Sequence, residues 1–208
     1  MKMCDNGLRF LVIGNSISLH GKCGYWFNRC GMAATDIEKD YVHILQNKFS
    51  QSVPTEFCVH NLVAFETSWY DRAESFSQLE PYFRQKFDLV IIQLGENIYR
   101  TDNLKEDFIG LVDYVRDNID DSIPIVILGN FWKNNEVDCV KKVTSKEKGC
   151  IYISLEDLQG NPIYMAGNPC VVNGEDGRKY KIDHNGVAQH PNDLAMRIIA
   201  ERIYEIFK

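Results

Sequence analysis

The run Phe10-Leu11-Val12-Ile13 is uniformly apolar and stops abruptly at Gly14, with a serine two positions later. Too short for a helix and lacking polar alternation, it reads as a strand buried on both faces, as in a parallel sheet. Leu89-Val90-Ile91-Ile92 and Ile125-Val126-Ile127-Leu128 repeat the pattern. Parallel strands need long crossovers, and helical periodicity fills the gaps between these runs. The expected strands are Arg9–Gly14, Thr55–His60, Asp88–Leu94, Pro124–Gly129 and Ile151–Leu155. Helices are expected from a Thr35 or Asp36 cap to Phe49, over Glu74–Phe87 despite Pro81, over Leu104–Ile119 and Asn135–Lys148, and finally over Pro191–Phe207. Gly21–Ala34 reads as a loop rich in glycine and aromatics, and Glu156–Gln189 as a long polar connection. Right-handed crossovers then imply an α/β fold. Its expected form is a three-layer α/β/α sandwich around a flavodoxin-like five-stranded parallel sheet, with residues 1–208 as one domain.

The bulk numbers exclude several roles. Lys and Arg total 23 against 29 Asp and Glu, a net charge of −6, and no basic run stands out. Nucleic acid is therefore not an expected partner. No apolar stretch is long enough for a membrane span. Seven cysteines, an odd number without a CxxC pair, argue against structural zinc and for free thiols in a reducing compartment. Met1 leads almost directly into the first strand, which suggests a cytoplasmic protein or an exported one whose signal is absent from this chain. No metal or organic cofactor is expected. No phosphate-binding glycine loop follows the first strand, which disfavours a nucleotide or flavin binder.

Ligands of open α/β sheets gather beyond the C-terminal ends of the strands. Three segments should meet there: Gly14-Asn15-Ser16, Gly95-Glu96-Asn97 and His190-Pro191. Serine becomes a nucleophile when a base takes its proton, histidine has the pKa for that work, and an asparagine amide can donate to an oxyanion. Taken singly, each has a structural reading. Ser16 can cap a helix, His190 can precede a proline at the first helical position, and Asn97 can brace a turn. Glu66 and Glu96 can form salt bridges with Arg72 or Arg100.

Together and in this order the segments resemble the blocks of the SGNH (GDSL-type) hydrolases. Gly14-Asn15-Ser16-Ile17-Ser18 is similar to the GDSxS block, Gly95-Glu96-Asn97 to the Gly-x-Asn block, and His190-Pro191 to the last block. The resemblance implies an esterase working through an acyl-enzyme. Ser16 would be the nucleophile, His190 the base, and Asn97 an oxyanion donor beside the Ser16 backbone N–H. A small-molecule or carbohydrate ester is the implied substrate, an acetyl ester among them; a non-catalytic carbohydrate-binding protein on the same scaffold is the rival. Two positions depart from the pattern. Val187 stands where the family carries the aspartate that orients the histidine, and Glu66 falls where its second block has glycine. The orienting group is left open among Asp183, Glu66, Glu96, a backbone carbonyl and water, with Asp183 first because it lies on the approach to His190.

Overall fold

The computed structural model describes residues 7–208. In chain order the strands and α-helices are β1 (Leu8–Gly14), α1 (Tyr41–Ser50), β2 (Thr55–Asn61), α2 (Val63–Thr67), β3 (Leu89–Gln93), α3 (Leu104–Asn118), β4 (Ile125–Leu128), α4 (Asn135–Glu147), β5 (Ile151–Ile153), β6 (Cys170–Asn173), β7 (Lys179–Ile182), α5 (Asn185–Ala188) and α6 (Asp193–Phe207). The chain forms two compact units. One holds residues 8–15 and 56–159, the other residue 7 with 16–55 and 160–208. Among the described residues no helix is long and apolar enough to cross a membrane, and six cysteines are free. Cys4 lies outside the described residues.

The first unit carries the five-stranded sheet, ordered β2-β1-β3-β4-β5. The runs of branched residues pair in parallel, with Ile13 beside Ile92 and Ile92 beside Ile127. Alternate residues of these strands, Leu11, Ile13, Val90, Ile92, Ile125 and Ile127, join Phe108, Leu111, Val112 and Val115 of α3 and Val137 of α4 in one core. Residues of the opposite face, such as Val12, Ile91 and Val126, are equally buried, so the strands show no polar alternation. In register, Gly14 lies beside Gln93. Asn15 and the Gly95 turn therefore leave the sheet at the same edge, and Leu62 N–H bonds the Gly14 carbonyl there at 2.7 Å.

In the second unit α1 packs on α6, with the Phe49 and Tyr204 rings 5.4 Å apart. Asp40 caps α1 by accepting from His43 N–H. A separate core forms from Trp26, Cys30, Met32, Cys170, Val172, Ile182 and Val187. It ties the glycine-rich loop to the antiparallel β6–β7 hairpin and to α5. Phe27 stacks on Tyr180 at 3.7 Å, and buried Asn28 donates to the Asn173 carbonyl and accepts from Glu175 N–H.

Four elements differ from the sequence reading. Glu74–Phe87 is not one helix but two short 3-10 segments, Ala73–Leu79 and Tyr82–Arg84. Pro81 has no N–H to continue the ladder. Asp36 caps only a 3-10 turn, Ile37–Lys39, and α1 starts afresh at the Asp40 cap. The polar stretch 156–189 hides the hairpin, whose β6 alternates buried and exposed residues. Finally, α6 begins at Asp193, because the Asn192 side chain caps Leu194 and Ala195 N–H, so Pro191 precedes the helix rather than opening it.

Gly31 is closely packed in the second unit. Its N–H bonds Asp40 at 2.8 Å, and a Cβ there would strike the Ile17 carbonyl, a backbone atom that cannot swing aside. Gly31→Ala is expected to destabilise the protein by about 2 kcal/mol, within the usual cost of overpacking. A lowered urea midpoint with an unchanged m-value would show it.

Candidate active site

Ser16 follows Asn15 at the end of the β1 turn, and its carbonyl accepts from Met32 N–H at 2.8 Å. Its hydroxyl lies 2.8 Å from His190 Nε2. His190 sits between α5 and the α6 cap and is only 6% exposed. Its other nitrogen, Nδ1, lies 2.7 Å from the Gly186 carbonyl. A carbonyl only accepts, so in the neutral ring Nδ1 carries the proton and Nε2 offers its lone pair to the serine hydroxyl. This is the tautomer a general base needs. Burial pushes the His190 pKa down to about 4, opposed by the bond to Gly186 and reinforced by His20 and His184. The ring is therefore neutral at pH 7.

The group at Nδ1 corrects the order of candidates drawn from the sequence. Asp183 is exposed on the segment entering α5, while the Gly186 carbonyl holds the ring. The fold explains why no carboxylate stands at 187. Val187 is fully buried in the apolar core around Trp26, where an aspartate would lose its hydration without a partner. The one-turn helix instead brings the carbonyl of residue 186 to the ring of residue 190.

Glu66, Glu96 and Asn97 meet in the sheet-bearing unit. The Glu66 carboxylate is buried on α2 and accepts from four N–H groups: Gly95 backbone, Asn97 backbone at 3.4 Å, Asn97 Nδ2 at 2.6 Å and Asn15 Nδ2 at 2.9 Å. Asn15 Nδ2 also donates to Glu96 at 2.7 Å, and Glu96 accepts from Phe131 N–H at 3.0 Å. Burial and the neighbouring Glu96 charge raise the Glu66 pKa, against the bonds from Asn97, Gly95 and Asn15. Neither glutamate pairs with the arginines suggested by the sequence. Arg72 bonds Asp107 at 2.7 Å, and the Arg100 guanidinium lies over the Trp69 ring.

Gly95 shapes this cluster and Lys141 joins it. Gly95 has φ +135°, and a Cβ there would meet the Asn130 side chain and Lys141 Cε and Nζ. Lys141 itself is fully buried on α4 and donates to the Leu128 carbonyl at 2.8 Å. Burial lowers its pKa, opposed by Glu96, Asp138 and Glu66. Lys141 follows Val137 by four residues on the inward stripe of α4, a pattern that could have marked it. Among the described residues no group of three or more His, Cys, Asp and Glu is arranged to hold a metal.

Solved structures share the fold of this chain. The chain aligns over 96% of its length with a possible lipase from Chitinophaga pinensis (TM-score 0.57, 13% identity, 97% of that chain). It aligns equally far with a member of the lipolytic G-D-S-L family from Veillonella parvula (TM-score 0.56, 12% identity, 98% of that chain). The chain has the SGNH-hydrolase fold. A family two carbohydrate esterase from Cellvibrio japonicus also shares it (TM-score 0.58, 12% identity), with 96% of this chain aligned to 60% of that one. No protein-family model and no curated protein sequence matches the chain.

Against the SGNH pattern, two departures, Asn15 and Glu66, are linked. A carboxylate at 66 needs donors, and Asn15, in place of the usual aspartate, supplies them to Glu66 and Glu96 together. Asn15→Asp would set a third acid against these two. It is expected to cost about 3 kcal/mol or more, the scale for an uncompensated buried charge. Urea unfolding at neutral pH measures this; a loss below about 0.5 kcal/mol, typical of surface changes, would refute the pairing.

Proposed function

We propose that this chain is a serine esterase of SGNH type that hydrolyses a carboxylic ester through an acyl-enzyme on Ser16. The observation that carries the reading is the serine–imidazole–carbonyl line, Ser16 Oγ to His190 Nε2 at 2.8 Å and His190 Nδ1 to Gly186 O at 2.7 Å. Ser16 Oγ attacks the ester carbonyl carbon as its proton passes to His190 Nε2. The C–O bond to the alcohol breaks, and the imidazolium returns that proton to the leaving oxygen. Water then attacks the acyl group, again giving its proton to His190, and the Ser16 oxygen leaves and is reprotonated. The oxyanion role implied for Asn97 is part of the proposal. Its amide carries two N–H groups, and Glu66 accepts one of them and fixes the side chain.

An acetyl ester on a carbohydrate is the substrate class we favour. Trp69, Tyr70 and Tyr99 are exposed large aromatics on the segments that follow Glu66 and Asn97 in sequence, and Tyr99 is 89% exposed. Such rings offer faces on which sugars stack. The Cellvibrio japonicus protein of the same fold is a carbohydrate esterase.

Acetate release from acetylated xylo-oligosaccharides and from 4-nitrophenyl acetate tests the proposal. Turnover is expected from the native chain, with a loss of about a thousandfold or more in Ser16→Ala and His190→Ala. Absence of turnover on both substrates would overturn it. The pH profile gives a sharper check. The base works only when neutral, so kcat/KM should hold from neutrality downward and halve near pH 4, the His190 value. An acid limb near 6.5, the value of an unperturbed histidine, would contradict the buried, carbonyl-bound ring.

A further inference from the structure

Gly186 is an unusual partner for a catalytic histidine, because its carbonyl belongs to a helix of four residues. One turn of helix does not hold its own geometry in water. Something else must keep that carbonyl aimed at the ring.

His184 is placed to do this. It is the N-cap residue of α5, and its Nδ1 accepts from Val187 N–H at 3.3 Å. That bond requires a bare Nδ1, so the His184 proton sits on Nε2. Its ring also lies against the α-carbon of Gly186, since a Cβ built there would come 3.0 Å from His184 Cε1 and 3.2 Å from Nδ1. Tyr25 from the glycine-rich loop stacks on the His184 ring, with centroids 3.9 Å apart and planes 4° from parallel. Contacts therefore run without a gap from Tyr25 through His184 to α5, and from the Gly186 carbonyl through His190 to Ser16.

We propose that His184 is a positioning residue for His190. By capping α5 it holds the Gly186 carbonyl in the place that a carboxylate would fill, while Tyr25 holds the His184 ring. This rests on the reading of Ser16 and His190 as the catalytic pair. Aspartate at 187 would orient the imidazole directly; here one histidine orients another through a backbone carbonyl. The buried Val187 side chain anchors the helix to the core, and Gln189 N–H also bonds the Gly186 carbonyl at 3.3 Å.

Two substitutions separate the cap from the ring. His184→Asn keeps an N-cap acceptor and loses the stack, and His184→Phe keeps a ring on Tyr25 and loses the acceptor. With 4-nitrophenyl acetate, His184→Phe is expected to lower kcat about tenfold, the rate equivalent of a lost cap, with KM within about twofold of the native value. His184→Asn is expected to restore kcat to within about twofold of native. A readout independent of turnover is the downfield proton resonance of the His190 Nδ1–H, assigned by its loss in His190→Ala. It should persist in the native chain and in His184→Asn, and should shift or broaden in His184→Phe. An unchanged kcat and resonance in His184→Phe, or equal losses in both variants, would overturn the proposal. If the native chain turns over no ester but the resonance follows the cap, the positioning stands and the esterase reading fails.

Discussion

The site depends on a buried imidazole held between a hydroxyl and a backbone carbonyl. His190 can keep its base nitrogen bare because Gly186 accepts the only ring proton. Burial holds the ring neutral well into acid. In the proposed mechanism the same arrangement has a cost, because the ring must carry a proton while the tetrahedral intermediate forms. A carboxylate would offset that charge fully; a carbonyl dipole does so in part, and more strongly in a dry site than in water. The structure thus orients the base without adding a buried charge to a core built around Trp26 and Val187.

Charge is concentrated instead in the sheet-bearing unit. Glu66, Glu96 and Lys141 are drawn together with few exposed atoms, and amides serve as the spacers between the acids. Asn15 bridges the two carboxylates, and Asn97 is gripped by Glu66 through its side chain and its backbone. Hydrogen bonds to a carboxylate in low dielectric are strong and directional. A side chain so held is suited to act without reorganising, which is what electrostatic stabilisation of a transition state demands. Gly95 makes the cluster possible, because its positive φ turns the chain where any side chain would collide with Lys141.

Much of this was legible in the sequence, for physical reasons that differ by element. The central strands β1, β3 and β4 announce themselves as branched apolar runs, and all five strands were readable within one or two residues. The β6–β7 hairpin escaped because half of its residues face solvent and its strands are short. At the site, Ser16, His190 and Asn97 were visible as residue types at the ends of strands and before a helix. Glu66 was visible only as an oddity, since nothing in its own neighbourhood names Asn15 and Asn97 as its donors. The orienting group was readable only as an unassigned backbone carbonyl, ranked behind Asp183. Every residue has a carbonyl, so Val187 signalled that a carboxylate was missing without saying what replaced it, and attention fell on the nearest acid, Asp183. His184 looked like a loop residue because a four-residue helix has too little periodicity to show its cap.

The most direct test of a base-activated Ser16 is covalent capture with a fluorophosphonate, read by intact mass and peptide mapping. One adduct per chain, located on Ser16, is expected, with loss of labelling in His190→Ala. No adduct on Ser16, or equal labelling with His190 removed, would contradict it.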